Sequence, residues 1–168
     1  MKNFVLGVLS VSTLLFTNET LIADEIRKTV YIGGTSSKII NETANEFIFG
    51  LSADKIYNNG FILGVNNDYS YGSLPNNKTT NDKSVYTIGF DLKFGYSLFK
   101  DFSVYGLGAL AGQYIDNSGG YGLGYGVGMD YQLTKNIVLD VKYKTYNMKD
   151  SLVDYDYNKT VATIGYKF

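Results

Sequence analysis

From Tyr86 to Leu98 every second residue is apolar: Tyr86, Ile88, Phe90, Leu92, Phe94, Tyr96 and Leu98. Between them stand Thr87, Gly89, Asp91, Lys93, Gly95 and Ser97. The same alternation runs from Tyr121 to Leu133, with Gly122, Gly124, Gly126, Gly128, Asp130 and Gln132 in the gaps. Unbroken alternation of this length predicts an extended strand with one apolar and one polar face, because a helix would scatter both sets around its circumference. Shorter runs with the same period cover Val30–Gly34, Phe47–Asp54, Phe61–Tyr71, Ile137–Lys144 and Lys159–Phe168. A further run sets Tyr105, Leu107, Ala109 and Ala111 against Gly106, Gly108 and Leu110. The pattern predicts eight strands.

The connections alternate in length. Short ones fall near Asp54–Gly60, Phe99–Asp101 and Thr134–Asn136, and longer polar ones near Ser36–Asn45, Gly72–Ser84, Ile115–Gly120 and Asn147–Asp156. An even strand number with tight turns at one rim predicts an all-β, eight-stranded antiparallel up-and-down transmembrane β-barrel. Its short turns would be periplasmic and its longer loops extracellular. A soluble barrel shares the alternation but turns its apolar face inward. Here the polar set is mostly Gly, Ser and Thr, which suits a narrow lumen better than a solvated exterior. The apolar set is aromatic near both ends. Tyr69, Tyr71, Tyr86 and Tyr121 lie on the loop side, and Phe61, Tyr96, Tyr131, Tyr166 and Phe168 on the turn side. Two such belts are where amphipathic rings meet lipid headgroups, and closure pairs the backbone groups that lipid cannot.

The chain starts Met1-Lys2-Asn3, continues with the apolar run Phe4–Phe16, and reaches Leu21-Ile22-Ala23 before Asp24-Glu25. That order predicts a secretory signal peptide over 1–23, cut between Ala23 and Asp24, and a barrel domain over 24–168. In the remainder, the longest stretch without a charged residue is Phe102–Ile115, which Gly106, Gly108 and Gly112 interrupt. It is too short to cross a bilayer as a helix, which needs about 20 apolar residues.

Three segments carry a family likeness: Val30-Tyr31-Ile32-Gly33-Gly34; the run Gly122–Tyr131 with Leu133-Thr134-Lys135-Asn136 and Leu139–Lys144; and Ile164-Gly165-Tyr166-Lys167-Phe168. With them the mature chain resembles the small outer-membrane barrels of the OmpA-like and opacity-protein porin superfamily. The resemblance implies the outer membrane of a Gram-negative bacterium and a barrel without a peptidoglycan-binding domain. It also implies that Ile164, Tyr166 and Phe168 form the C-terminal signal read by the barrel assembly machinery.

Composition then narrows the chemistry. The chain has no His and no Cys, and its 15 Lys+Arg against 16 Asp+Glu give a net charge of -1. No basic surface suggests nucleic acid. Lipid-modifying enzymes on related barrels use His, so a non-enzymatic protein with no cofactor and no metal is expected. The glycines of Gly119–Gly128 do not fit Gly-x-Gly-x-x-Gly. The stretch Asp156-Tyr157-Asn158-Lys159-Thr160 fits an extended bacterial glycosylation pattern and is read as an ordinary strand start.

The inward charges are the candidate site: Asp91, Lys93, Asp130, Asp140, Lys142, Lys144, Lys159 and Lys167. A three-residue turn at Thr134–Asn136 puts Asp130 opposite Asp140, so Lys142 and either Lys93 or Lys167 are expected to balance the pair. Such a cluster is an ion-pair plug, since an eight-stranded lumen is filled by side chains; its alternative is a constriction for ions. The expected function is structural or surface-interactive (adhesion, envelope integrity), carried by the extracellular loops. The alternative is a narrow porin-like channel for ions or small solutes. Expected partners are outer-membrane lipid and lipopolysaccharide, the barrel assembly machinery, and a host or surface ligand at the loops, with the protein itself monomeric.

Overall fold

The structure, a computed structural model, describes residues 25–39, 42–74, 83–116, 118–150 and 154–168. The leader and the Ala23–Asp24 junction lie outside the described residues. Eight antiparallel strands follow in chain order: β1 (Glu25–Ile39), β2 (Glu42–Ile56), β3 (Phe61–Leu74), β4 (Lys83–Phe99), β5 (Phe102–Ile115), β6 (Ser118–Gln132), β7 (Ile137–Lys149) and β8 (Tyr155–Lys167). Each pairs with its neighbours in sequence, and β8 pairs back onto β1 to close the barrel. The ladder is staggered: following partners around from Thr29 returns to β1 at Ile39, ten residues further along. Closure with such a stagger tilts the strands against the barrel axis.

The two faces are sorted opposite to those of a soluble barrel. Outward Ile32, Phe49, Phe94 and Val127 are half exposed or more, while inward Asp91 and Lys144 have no exposed surface at all. An apolar exterior around a charged interior is stable only where the exterior meets lipid. The turns that join the strands at the end carrying both strand termini, residues 57–60, 100–101 and 133–136, are tightly tied. Gly60 takes a positive φ of 85° and donates to the Tyr57 carbonyl at 2.8 Å. Thr134 Oγ1 accepts from the N–H of Asn136 and of Ile137, and Asn136 Nδ2 reaches the Lys167 carbonyl at 3.0 Å, bracing the last strand.

Two expectations need correction. Strand pairing runs on through three of the segments read as long loops. Ser36 pairs with Asn45 and Ile39 with Glu42; Ile115 pairs with Ser118; Asn147 pairs with Asp156 and Met148 with Tyr155. Polar composition hid the strands there because their outward positions leave the hydrocarbon. Their inward positions, such as Ser37, Met148 and Tyr157, are fully buried. The segment Gly72–Ser84 is strand up to Leu74 and again from Lys83, and 75–82 lies outside the described residues.

The second correction concerns β5. Its apolar set Tyr105, Leu107, Ala109 and Ala111 points into the lumen, not into lipid. The reason is volume. These four residues stand opposite Gly128, Gly126, Gly124 and Gly122 of β6, whose inward face has no side chains to fill the space.

The same device recurs across the barrel. Tyr31 lies opposite Gly50, Tyr105 opposite Gly128 and Tyr146 opposite Gly124. A Cβ built on Gly128 would stand 2.5 Å from ring carbons of Tyr105, and one on Gly124 2.5 Å from the Tyr146 ring. Each ring therefore occupies the place of its partner's missing side chain. Gly128→Val should displace the Tyr105 ring and destabilise the barrel by about 1–3 kcal/mol. The check is the urea midpoint of the refolded protein, followed by its mobility shift on unheated gels; Gly108→Val on the open lipid face should leave that midpoint unchanged.

Candidate functional site: the charged lumen

The period of two sends every other side chain into a space just wide enough to be filled by them. What the sequence supplies there is charge. Among the described residues, ten buried inward side chains are ionisable acids or bases. Five are bases (Arg27, Lys93, Lys142, Lys144, Lys159) and five acids (Glu46, Asp54, Asp68, Asp91, Asp130), so these ten sum to zero. A neutral set tolerates burial only when each charge finds a partner at close range.

Three layers satisfy that condition. Near the turn end, Arg27 donates through Nη1 and Nη2 to both oxygens of Asp130, at 3.0 and 2.9 Å, and through Nε and Nη2 to Asp54 Oδ2, at 3.1 and 2.7 Å. Lys93 closes the ring from the other side, 2.8 Å from Asp130 and 3.2 Å from Asp54. The forked guanidinium is what allows one cation to hold two carboxylates at once. In the middle, Lys144 bridges Asp68 at 2.8 Å and Asp91 at 3.0 Å. Towards the loop end, Glu46 accepts from Ser37, from Ser70 at 2.5 Å and from the Tyr157 hydroxyl at 3.3 Å, with Lys159 3.7 Å away. Lys159 itself donates to Ser70 Oγ at 2.7 Å.

The tyrosines that fill the glycine gaps also cover the cations. Lys93 lies 4.1 Å from the Tyr105 ring centre, Lys142 4.9 Å from that of Tyr31, and Lys144 5.9 Å from that of Tyr146. Above the charges a mainly apolar layer crosses the lumen at the loop end, built from Ile39, Ala44, Leu74, Val85, Ala111, Met148 and Tyr157, with the buried Gln113 beside them bonded to Thr87 and Tyr155. At the turn end a cavity of about 30 Å³, room for a water molecule or two, touches Asp54 and Asp140. No hydrogen bond reaches the Oδ1 atom of either, although that of Asp140 lies 3.4 Å from Lys142 Nζ.

All eight charged residues singled out from the sequence point inward, but they do not form one cluster. Asp130 and Asp140 are cross-strand neighbours, yet each is held separately. Arg27 and Lys93 take Asp130, while the Tyr105 hydroxyl and Lys142, 3.4 Å away, take Asp140. Lys167 instead sits at the rim, bonded to Glu25 and Gln132. Lys144 and Lys159 belong to the two higher layers. Ile164, Tyr166 and Phe168 point outward, and the Phe168 N–H donates to the Lys28 carbonyl at 3.1 Å.

Sequence reasoning missed Arg27, Glu46, Asp54 and Asp68. The last two stand on the polar side of the alternation in their own strands, β2 and β3, and were legible from it. Arg27 and Glu46 lie where the strands outrun their recognisable alternation.

A closed antiparallel barrel with a lipid-compatible exterior and an ion-paired interior is a transmembrane β-barrel of the outer-membrane class. The chain belongs to the outer membrane protein beta-barrel domain family, which it matches over residues 6–168. No curated protein matches the chain. Among solved structures it is similar to Neisserial surface protein A (NspA), at 19% identity and a TM-score of 0.62 over 85% of this chain and 97% of that one. It is also similar to Ail, the attachment invasion locus protein of Yersinia pestis, at 16% identity and a TM-score of 0.54 over 85% and 97%. At these identities the likeness concerns the fold.

If the ion pairs hold the lumen together, removing one partner must cost more than removing all. Lys144→Met leaves Asp68 and Asp91 unpaired and should lower stability by about 3–5 kcal/mol. Adding Asp68→Asn and Asp91→Asn to it should recover most of that loss in the same urea titration.

Proposed function

We propose that this protein is a non-conducting, non-enzymatic outer-membrane barrel that serves the envelope structurally and meets other surfaces at its loop end. The observation that carries the reading is the double closure of the lumen. The ion-paired layers from Arg27 to Lys159 fill its length, and the apolar layer of Ile39, Val85, Met148 and Tyr157 lies across it beneath the loops. An ion entering from outside would meet the mainly apolar layer first and buried, already paired charges next. Both are poor paths for conduction.

A surface role is supported by the fold shared with NspA and Ail, whose names speak of surface and attachment. Catalysis lacks a His or Cys to activate a nucleophile, and the buried carboxylates of the lumen are engaged by cations. Export to the barrel assembly machinery through the C-terminal pattern fits the outward, alternating placement of Ile164, Tyr166 and Phe168.

Two outcomes follow. In a planar bilayer, refolded protein shown to be inserted should give no discrete current steps; steps that change amplitude with Asp130→Asn would overturn the reading in favour of a narrow channel. In cells, Phe168→Ala should reduce the amount of folded barrel in the outer membrane several-fold, while the same variant refolds normally in detergent.

A further inference from the structure

The lipid-facing surface is not the same height all round. On β4 every outward side chain from Tyr86 to Leu98 is apolar or aromatic, and the same holds for β6 from Tyr121 onward through Tyr131. On β8 and the residue that follows it the outward apolar residues are Ala162, Ile164, Tyr166 and Phe168, and above them come Thr160, Asn158 and Asp156. On β1 they are Ile26, Val30 and Ile32, with Lys28 between the first two, followed by Gly34, Ser36 and Lys38. At about 3.3 Å per residue and the usual barrel tilt, the apolar band is roughly 30 Å tall on β4 and roughly 15 Å on β8. A transmembrane barrel ordinarily carries a band of about 25 Å.

Tilting the barrel does not account for this. A tilt raises the band on one side and lowers it on the other, but here the band is shortened, mainly from the loop end. Allowing for the stagger of the strands, Ser36 and Thr160 stand level with Ile88 and Leu110 on the far wall. The aromatic belt dips with the band. The uppermost outward ring on β7 is Tyr143, only three outward positions above Ile137, whereas Tyr86 and Tyr121 sit near the loop ends of β4 and β6. The Tyr143 hydroxyl donates to Asn158 Oδ1 at 3.2 Å, and Asn147 Nδ2 donates to Asp156 Oδ1 at 2.9 Å. Belt rings mark the boundary between hydrocarbon and headgroups, so on this wall the boundary runs lower.

We propose that the β7–β8–β1 wall meets a locally thinned bilayer. There, lipid headgroups and their water, not acyl chains, cover Ser36, Thr145, Asn158 and Thr160. A wall whose apolar stretch is shorter than the hydrocarbon is accommodated by thinning the lipid beside it, and polar side chains retain hydrogen-bonding partners only if polar groups come down to them. The relief of the surface favours lipid over a second barrel. Leu123 and Tyr125, 69% and 72% exposed, form a ridge beside a trough of about 560 Å³ whose other side carries Thr145, Asn147, Asp156 and Asn158. The ridge holds another barrel wall away from that polar floor, while a headgroup can enter.

The chain has no Cys, so single nitroxides can be placed without background. Ser36→Cys, Thr160→Cys, Ile88→Cys and Leu110→Cys would be labelled and reconstituted in phosphatidylcholine bilayers, and their relaxation by oxygen compared with that by a water-soluble nickel chelate. Ile88 and Leu110 should favour oxygen, which establishes that the barrel is inserted. Ser36 and Thr160 should favour the nickel chelate several-fold, independently of protein density. Equal preference for oxygen at all four positions overturns the proposal. So does loss of access to both reagents at Ser36 and Thr160 as protein-to-lipid ratio rises, which would assign the wall to a second copy. As a separate readout, the triple variant Ser36→Leu, Asn158→Leu, Thr160→Leu should shift the bilayer chain length of maximal stability from shorter to longer lipids; an unchanged optimum counts against thinning.

Discussion

Closing the sheet is the constraint from which the rest follows. In hydrocarbon an unpaired backbone amide or carbonyl is prohibitively costly, so β8 must return to β1, and with eight strands the enclosed space is narrow. Half of all strand side chains then enter that space, whatever they are. The protein meets the demand with charges that pair in layers along the lumen, Arg27 and Lys93 with Asp54 and Asp130, Lys142 with Asp140, Lys144 with Asp68 and Asp91, Lys159 with Glu46. Charge burial is a consequence of closure, and pairing is the condition that makes closure tolerable.

Packing and electrostatics are solved by the same residues. Glycines on one strand admit tyrosines from the next, and the tyrosine rings in turn lie against the lysines of the ion pairs. Tyr105 shows the full chain of dependence. It fills the gap at Gly128, stacks under Lys93 and bonds Asp140 through its hydroxyl. A change at a glycine therefore reaches the charges through an aromatic ring. This gives the glycine-rich run of β6 a structural role, although in sequence it invites comparison with a phosphate loop.

Much of this was legible in the alternation of side chains, and the exceptions have physical causes. β4 and β6 could be oriented because one parity held Asp91, Lys93 and Asp130 and the other held only apolar residues. β5 could not be oriented that way. Neither parity of Tyr105–Ala111 carries a charge, and its direction depends on the empty inward face of β6, which is a property of the neighbour. Arg27 and Glu46 escaped because they lie where strands continue past the hydrocarbon and outward positions turn polar, which erases the alternation. The apolar layer under the loops was hidden for the same reason, since Ile39, Ala44 and Met148 fall in segments that read as loop.

The lumen thus has a filled, charged body and a mainly apolar cover at the loop end, and a closed lumen depends on that cover. Its most direct test is the reactivity of a thiol placed within it. Ala111→Cys introduces a small side chain at a position 1% exposed, in a chain that has no other cysteine. In folded protein in bilayers a small water-soluble thiol reagent should leave it unmodified over hours while reacting promptly with Thr43→Cys at the exposed loop end. Modification of the Ala111→Cys thiol at a rate close to that of Thr43→Cys would mean water reaches through the cover, contradicting the closed lumen.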